Sequence, residues 1–151
     1  MTTWIGIDPG REGAYAILTE HGAFVLDLPW IGKDLDIGLI KRWLPSGEVR
    51  AAIEQSQPMP RQGAVSAHTT GYGMGMLVGL FLGMGIPFET VRPAIWKKAM
   101  GIPPKSDKGA SVQLARRLFP AANLVTPRGR LLDGRAEALL LAEWIRRRTG
   151  Q

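Results

Sequence analysis

Hydrophobic positions change period several times along this chain, and each change marks an element. Residues 3–8, TWIGID, form an apolar run that ends on an acid before Pro9-Gly10 turns the chain, which predicts a first strand closing at Asp8. AYAILT at 14–19 and GAFVLD at 22–27 are β-rich runs separated by Glu20-His21, with Gly22 available for the turn, so the first three strands read as a meander. Leu35, Ile37, Leu39, Ile40, Trp43 and Leu44 fit a short amphipathic helix ended by Pro45-Ser46-Gly47. VRAAIE at 49–54 is then a buried strand that again closes on an acid, Glu54. From Gln55 to Thr70 the chain is polar and carries Pro58 and Pro60, which predicts an exposed loop and then the start of a helix.

Gly71 to Gly85 is apolar and glycine-rich, too short and too interrupted for a membrane span of about 20 apolar residues. In a helix, Gly75, Gly79 and Gly83 form one flat stripe that admits another backbone. Tight packing on the sheet is the favoured reading of this stripe, and a subunit interface is the other. Ile86 to Val91 reads as a strand and Pro93 to Met100 as a short helix, after which Pro103-Pro104 opens a basic loop, KSDK. Asp107 to Phe119 is a helix with Ala110, Leu114 and Leu118 on one face, stopped by Pro120; 121–130 is a loop, and Leu131 to Arg148 a long final helix. The order β-β-β-α-β-α-β-α-α-α predicts a mixed α/β sheet with helices on its faces, and the 151 residues suit one domain.

Composition narrows the chemistry. The absence of cysteine excludes disulfides, thiolate catalysis and cysteine-ligated metal sites, so any metal must sit on carboxylates. No secretory signal pattern is visible, and the expected setting is the cytoplasm of a bacterium or of a phage-infected host. Lys and Arg number 19 against 13 acids, and the net charge of +6 favours a polyanionic partner such as nucleic acid.

Against this basic background, four acids stand out. If the strands ending at Asp8 and Glu54 are parallel neighbours, their carboxylates emerge at one edge of the sheet. Two adjacent buried acids repel, and such a pairing usually holds a cation. Asp133 and Glu137 lie four apart on the final helix, on the stripe continued by Leu140 and Trp144, so both should face the sheet. An acid in the first turn of a helix also suits the dipole, which leaves Asp133 a second explanation. Glu143 points elsewhere and reads as a solvated residue. An all-oxygen donor set favours Mg²⁺ or Mn²⁺, and two such ions about 3.5–4 Å apart suit phosphodiester hydrolysis, activating water on one side and stabilising the leaving oxygen on the other.

With these residues in place the chain resembles a known family. GIDPG at 6–10 and IEQ at 53–55 are similar to the first two motifs of RuvC-type Holliday-junction resolvases, and AEALLLAEW at 136–144 looks like the terminal motif of their bacteriophage relatives. VRPAIWKKAMG at 91–101 and KGASVQLARRLFP at 108–120 are also similar, so the resemblance covers nearly the whole chain in order. It implies an RNase H-like fold with a mixed five-stranded sheet flanked by helices on both faces, a homodimer, and two divalent ions per site. The implied activity is a crossover junction endonuclease that nicks four-way DNA junctions to leave 5′-phosphate and 3′-hydroxyl ends.

Carried over by position, Asp8, Glu54 and Glu137 match the catalytic, metal-binding acids. Bacterial members place their third acid or histidine three residues before the last, where this chain has Gly134; Asp133 is the substitute. Lys97, Lys98, Lys105 and Lys108 fall where the family has DNA-binding lysines, and Arg61 lies on the loop beside the site. That loop lacks the aromatic wedge of bacterial members, leaving Met59 as the apolar candidate to insert between bases. His21 and His68 lack ligand spacing and read as structural, and Arg146 to Arg148 read as a solvated helix end. Another RNase H-like nuclease acting on RNA, flaps or forks, and a non-catalytic module for branched DNA, remain open alternatives. An actin-like or sugar-kinase ATPase shares a GIDPG-like loop but needs further nucleotide motifs that are missing.

Overall fold

The computed structural model describes residues 1–55 and 57–150. Strands β1 (Thr2–Asp8), β2 (Ala14–Thr19) and β3 (Gly22–Asp27) form the meander, followed by a two-stranded ribbon of β4 (Trp30–Ile31) and β5 (Asp34–Leu35) that the sequence pattern had not separated from the next helix. Helix α1 (Ile37–Trp43) begins where the Asp36 side chain accepts the Leu39 N–H at 2.8 Å, a capping arrangement that satisfies a helix-end amide. Then come β6 (Glu48–Glu54), α2 (Ala64–Met84), β7 (Phe88–Val91), α3 (Pro93–Ala99), α4 (Lys108–Leu118) and α5 (Asp133–Thr149).

The main sheet has the order β3-β2-β1-β6-β7; β1 runs antiparallel to β2 and parallel to β6, and β6 is parallel to β7. The sheet is therefore mixed, as expected. Strand pleating divides the core in two. Ile5, Ile7, Val49, Ala51 and Ile53 point toward α1 and α2, while Trp4, Ala14, Ala16 and Ala52 pack with residues of α3, α4 and α5. Asp8 and Glu54 continue the second set, which puts both strand-end acids on the α5 face.

Helix α5 lies directly on β1. A side chain at Gly6 would stand 2.0 Å from the Ala138 carbonyl oxygen and 2.4 Å from the Ala142 nitrogen, so only glycine allows this backbone contact. The helix is enclosed by the sheet and α4, and every residue from Ala138 to Ile145 is buried. This overturns the solvated reading of Glu143, which is 4% exposed. Burial pushes its carboxyl pKa up, but hydrogen bonds from Arg146 and Arg147 outweigh that and hold it below the ordinary range. Arg148 pairs with Glu89 at 3.1 Å and stacks on Trp144, so the three terminal arginines are tied into the protein rather than simply solvated.

Two other faces differ from expectation. Helix α4 buries Ser111, Val112 and Ala115 and packs Ala110 and Leu114 partly against the core, so the expected face is turned toward 111, 112 and 115 and Leu118 is left exposed. Helix α2 packs through Gly73, Leu77 and Phe81, with the Trp30 ring seated against Gly73. The stripe of Gly75, Gly79 and Gly83 points away from the sheet, and a side chain at any of the three would meet nothing within 4 Å. Tight sheet packing through these glycines is thereby excluded. Among the described residues no helix is long and apolar enough to cross a membrane.

Candidate active site

Parallel pairing of β1 with β6 aligns Ile7 with Ile53, so Asp8 and Glu54 leave the sheet side by side, each at the C-terminal end of its strand. Asp8 is fixed from below: its Oδ1 accepts the Gly10 N–H at 3.1 Å within the Pro9-Gly10 turn. Glu54 is fixed from the side by α3, where the buried Trp96 indole N–H donates to Oε2 at 2.8 Å. Sequence reasoning assigned no role to Trp96. The available signal was that a buried indole must find an acceptor for its N–H, and the nearest motif offered an acid.

Both acids are held against ionisation. Asp8 is pushed up to about 6, first by burial and then by the nearby charges of Glu137 and Asp133, while the Gly10 N–H pulls the other way. Glu54 rises to about 8, again mainly by burial and then by Asp8 and Glu137, with Trp96 and Lys97 opposing. These mutual effects place the four predicted acids in one electrostatic neighbourhood. They also describe a half-buried carboxylate pair short of positive charge, which a divalent cation would supply.

The two acids of α5 are engaged by lysines. Glu137 receives the Lys97 ammonium at 2.7 Å, and Asp133 that of Lys108 at 3.3 Å. Among the described residues, no three acidic or histidine side chains stand close enough together to enclose an ion. The donor set is all oxygen, which fits Mg²⁺ or Mn²⁺.

Gly134 marks a close backbone contact at the start of α5. A side chain there would lie 2.0 Å from the Glu12 carbonyl oxygen, because α5 enters against the backbone of the β1–β2 loop. No side chain fits at 134, and the preceding residue, Asp133, is the acid of the first turn whose charge acts on Asp8.

The predicted cations separate into two groups. Lys97 and Lys108 face the acids, while Lys98 and Lys105 are exposed on α3 and on the loop before α4. Arg61 and Met59 both lie on an exposed turn preceding α2, where the Gln62 N–H bonds the Met59 carbonyl at 3.0 Å. His21 is exposed at the β2–β3 turn, and His68 stacks on Tyr72 on the outer surface of α2; neither belongs to the acid cluster.

In a 105-position alignment that covers 66% of the chain, it is 34% identical to a Holliday junction resolvase, MOC1, chloroplastic, of Chlamydomonas reinhardtii, and it spans only 12% of that relative. No family model matches. Its structure is similar to Thermus thermophilus RuvC in complex with a Holliday junction substrate, with a TM-score of 0.64 at 18% identity over 99% of this chain and 97% of the other. A second Thermus thermophilus RuvC structure matches with a TM-score of 0.57 at 17% identity, covering 97% of this chain and 95% of that one. The fold is that of RuvC, an RNase H-like fold.

Proposed function

We propose that the chain is a RuvC-type resolvase, a metal-dependent endonuclease that cuts four-way DNA junctions and related branched DNA to leave 5′-phosphate and 3′-hydroxyl ends. The observation that carries this reading is that Asp8 and Glu54 leave β1 and β6 side by side, within electrostatic reach of Glu137 and Asp133 of α5, and are raised by burial and mutual repulsion. Sequence similarity to a resolvase and a fold shared with RuvC support the same substrate class.

In this proposal Asp8 and Glu54, with Glu137 and Asp133, hold two Mg²⁺ or Mn²⁺ ions. Bound there, the ions supply an activated water for in-line attack and charge stabilisation for the leaving 3′-oxygen. Trp96 restricts Glu54 to one orientation, leaving its second oxygen for a ligand. Lys97 and Lys108 are released from Glu137 and Asp133 toward phosphate, while Lys98, Lys105 and Arg61 contact the backbone. Met59, 68% exposed at the tip of its turn, is the apolar side chain placed to wedge unpaired bases.

Symmetric cutting of a junction needs two sites, and α2 offers the surface for a homodimer. Its outward face combines the open stripe of Gly75, Gly79 and Gly83 with exposed Val65, Tyr72 and Leu82. Small residues of this kind let a second helix approach closely.

Labelled four-way junction, fork, flap, linear duplex and RNA–DNA hybrid, each with Mg²⁺, Mn²⁺ or EDTA, test the reading. Symmetric metal-dependent nicks confined to the junction are expected. Equal cutting of forks and flaps would assign a general branched-DNA nuclease, and tight binding with no cutting in either metal would overturn the enzymatic proposal.

A further inference from the structure

The segment between α4 and α5, expected to be a plain loop, is a closed turn. The Gly129 N–H donates to the Thr126 carbonyl at 2.8 Å and the Thr126 N–H to the Arg130 carbonyl at 2.9 Å; the Arg130 N–H bonds the Thr126 hydroxyl at 3.0 Å. Gly129 takes a left-handed φ of +84° that closes the turn, and Pro127 has its φ restricted by its ring. The base is anchored in the core. Leu124 is buried, the Leu132 N–H bonds the Leu124 carbonyl at 2.9 Å, and Val125 bridges Leu131.

This rigid arm presents two arginines to solvent. Among the described residues no hydrogen bond or ion pair engages Arg128. Arg130 forms an ion pair with Glu12, at 3.7 Å with both side chains largely exposed, a pairing worth little, and its charge also reaches Asp27 across the groove. Three residues beyond Arg130 stands Asp133. The base of the arm also adjoins the start of α4: a side chain at Gly109 would lie 3.9 Å from Leu131 Cδ1, so the arm continues the rim that carries Lys105 and Lys108. Between the arm and the β1–β2 loop runs an open polar groove of about 180 Å³, bordered by Glu12, Asp27, Arg130, Asp133 and Arg135. Arg135 is spent on Asp27, with two hydrogen bonds of 2.7 and 2.9 Å.

We propose that the Thr126–Arg130 turn is a phosphate clamp, in which Arg128 and Arg130 grip the backbone of a DNA arm passing Asp133 on the β3 side of the acid cluster. A guanidinium fork matches phosphate oxygens bidentately, and an arm already ordered loses little entropy on binding. The proposal rests on the nuclease reading and adds to it a second cationic bank, across Asp133 from α3.

The test is the affinity of a fluorescent four-way junction in EDTA, measured by anisotropy across a salt series, for the parent chain, Arg128→Ala/Arg130→Ala and Arg128→Lys/Arg130→Lys. The alanine pair should bind roughly tenfold more weakly, with the slope of log affinity against log salt shallower by about 2. The lysine pair should keep most of that slope. Parent-like affinity and slope in the alanine pair would overturn the clamp, as would an equal loss of salt slope in both pairs, since charge would then not be what the turn supplies. A parent chain that bound no branched DNA would instead overturn the nuclease reading, and the clamp with it.

Discussion

Trp96 donates its indole N–H to Glu54 Oε2 across 2.8 Å, joining a fully buried residue of α3 to the end of β6. The bond sets which oxygen of Glu54 faces the cluster, and outer contacts of this kind tune metal affinity about 10- to 100-fold. Trp96→Phe keeps most of the ring and removes only the donor. Mn²⁺ affinity measured by calorimetry should fall by about tenfold or more, with junction binding in EDTA unchanged. Parent-like Mn²⁺ affinity in this variant would remove the positioning role.

Asp8→Asn replaces one carboxylate oxygen by an amide at nearly constant shape. Cleavage of a four-way junction should disappear while binding in EDTA persists, because the proposed phosphate contacts lie on other side chains. A variant that cut at the parent rate would show that Asp8 is not in the site.

The raised acids predict an unusual pH response. Asp8 at about 6 and Glu54 at about 8 in the folded chain compare with about 4 when unfolded, so the folded state binds these protons more tightly. Their contribution to stability is fully present below about pH 4 and is lost as pH rises through about 6 and then 8. In EDTA, melting temperature should therefore decline between about pH 5 and pH 8.5, and Asp8→Asn or Glu54→Gln should flatten the decline. Metal binding should strengthen over the same range, since the ligands must lose protons. A decline of equal steepness in both variants would contradict this assignment.

Gly134 stands against the Glu12 backbone, which fills the space a side chain there would take. Gly134→Asp should cost about 1–3 kcal/mol or more by forcing α5 off the β1–β2 loop. Added to Asp133→Ala, it should fail to restore cleavage. Recovery of activity in that double variant, with parent-like melting, would show that the loop gives way easily.

Gly79 meets nothing within 4 Å in the single chain, so Gly79→Leu should leave the fold intact and favour the helix by up to about 1 kcal/mol. If the stripe is the homodimer surface, sedimentation equilibrium should show the variant dissociating where the parent associates. A variant that remained as dimeric as the parent would move the interface elsewhere.

Much of this molecule was legible from one-dimensional pattern. The strand ends at Asp8 and Glu54 followed from apolar runs closing on acids, and Asp133 and Glu137 from helical spacing, because both periods are local backbone geometry. The resemblance of GIDPG, IEQ and AEALLLAEW to one family led to the fold that the structure displays.

Which face meets which neighbour was decided only in three dimensions. Gly75, Gly79 and Gly83 share a stripe in sequence, yet Gly73, Leu77 and Phe81 are what α2 buries, because Trp30 fills the gap against Gly73. Glu143 looked solvated by spacing alone but is enclosed, since α5 is covered by the sheet and by α4. The pairing of Trp96 with Glu54, 42 residues apart, and the closed turn at Thr126–Arg130 have no local period to announce them. Periodicity tells which residues lie together on an element. Only the packing of elements against one another determines what those residues touch, because burial and hydrogen bonding are settled by neighbours distant in the chain.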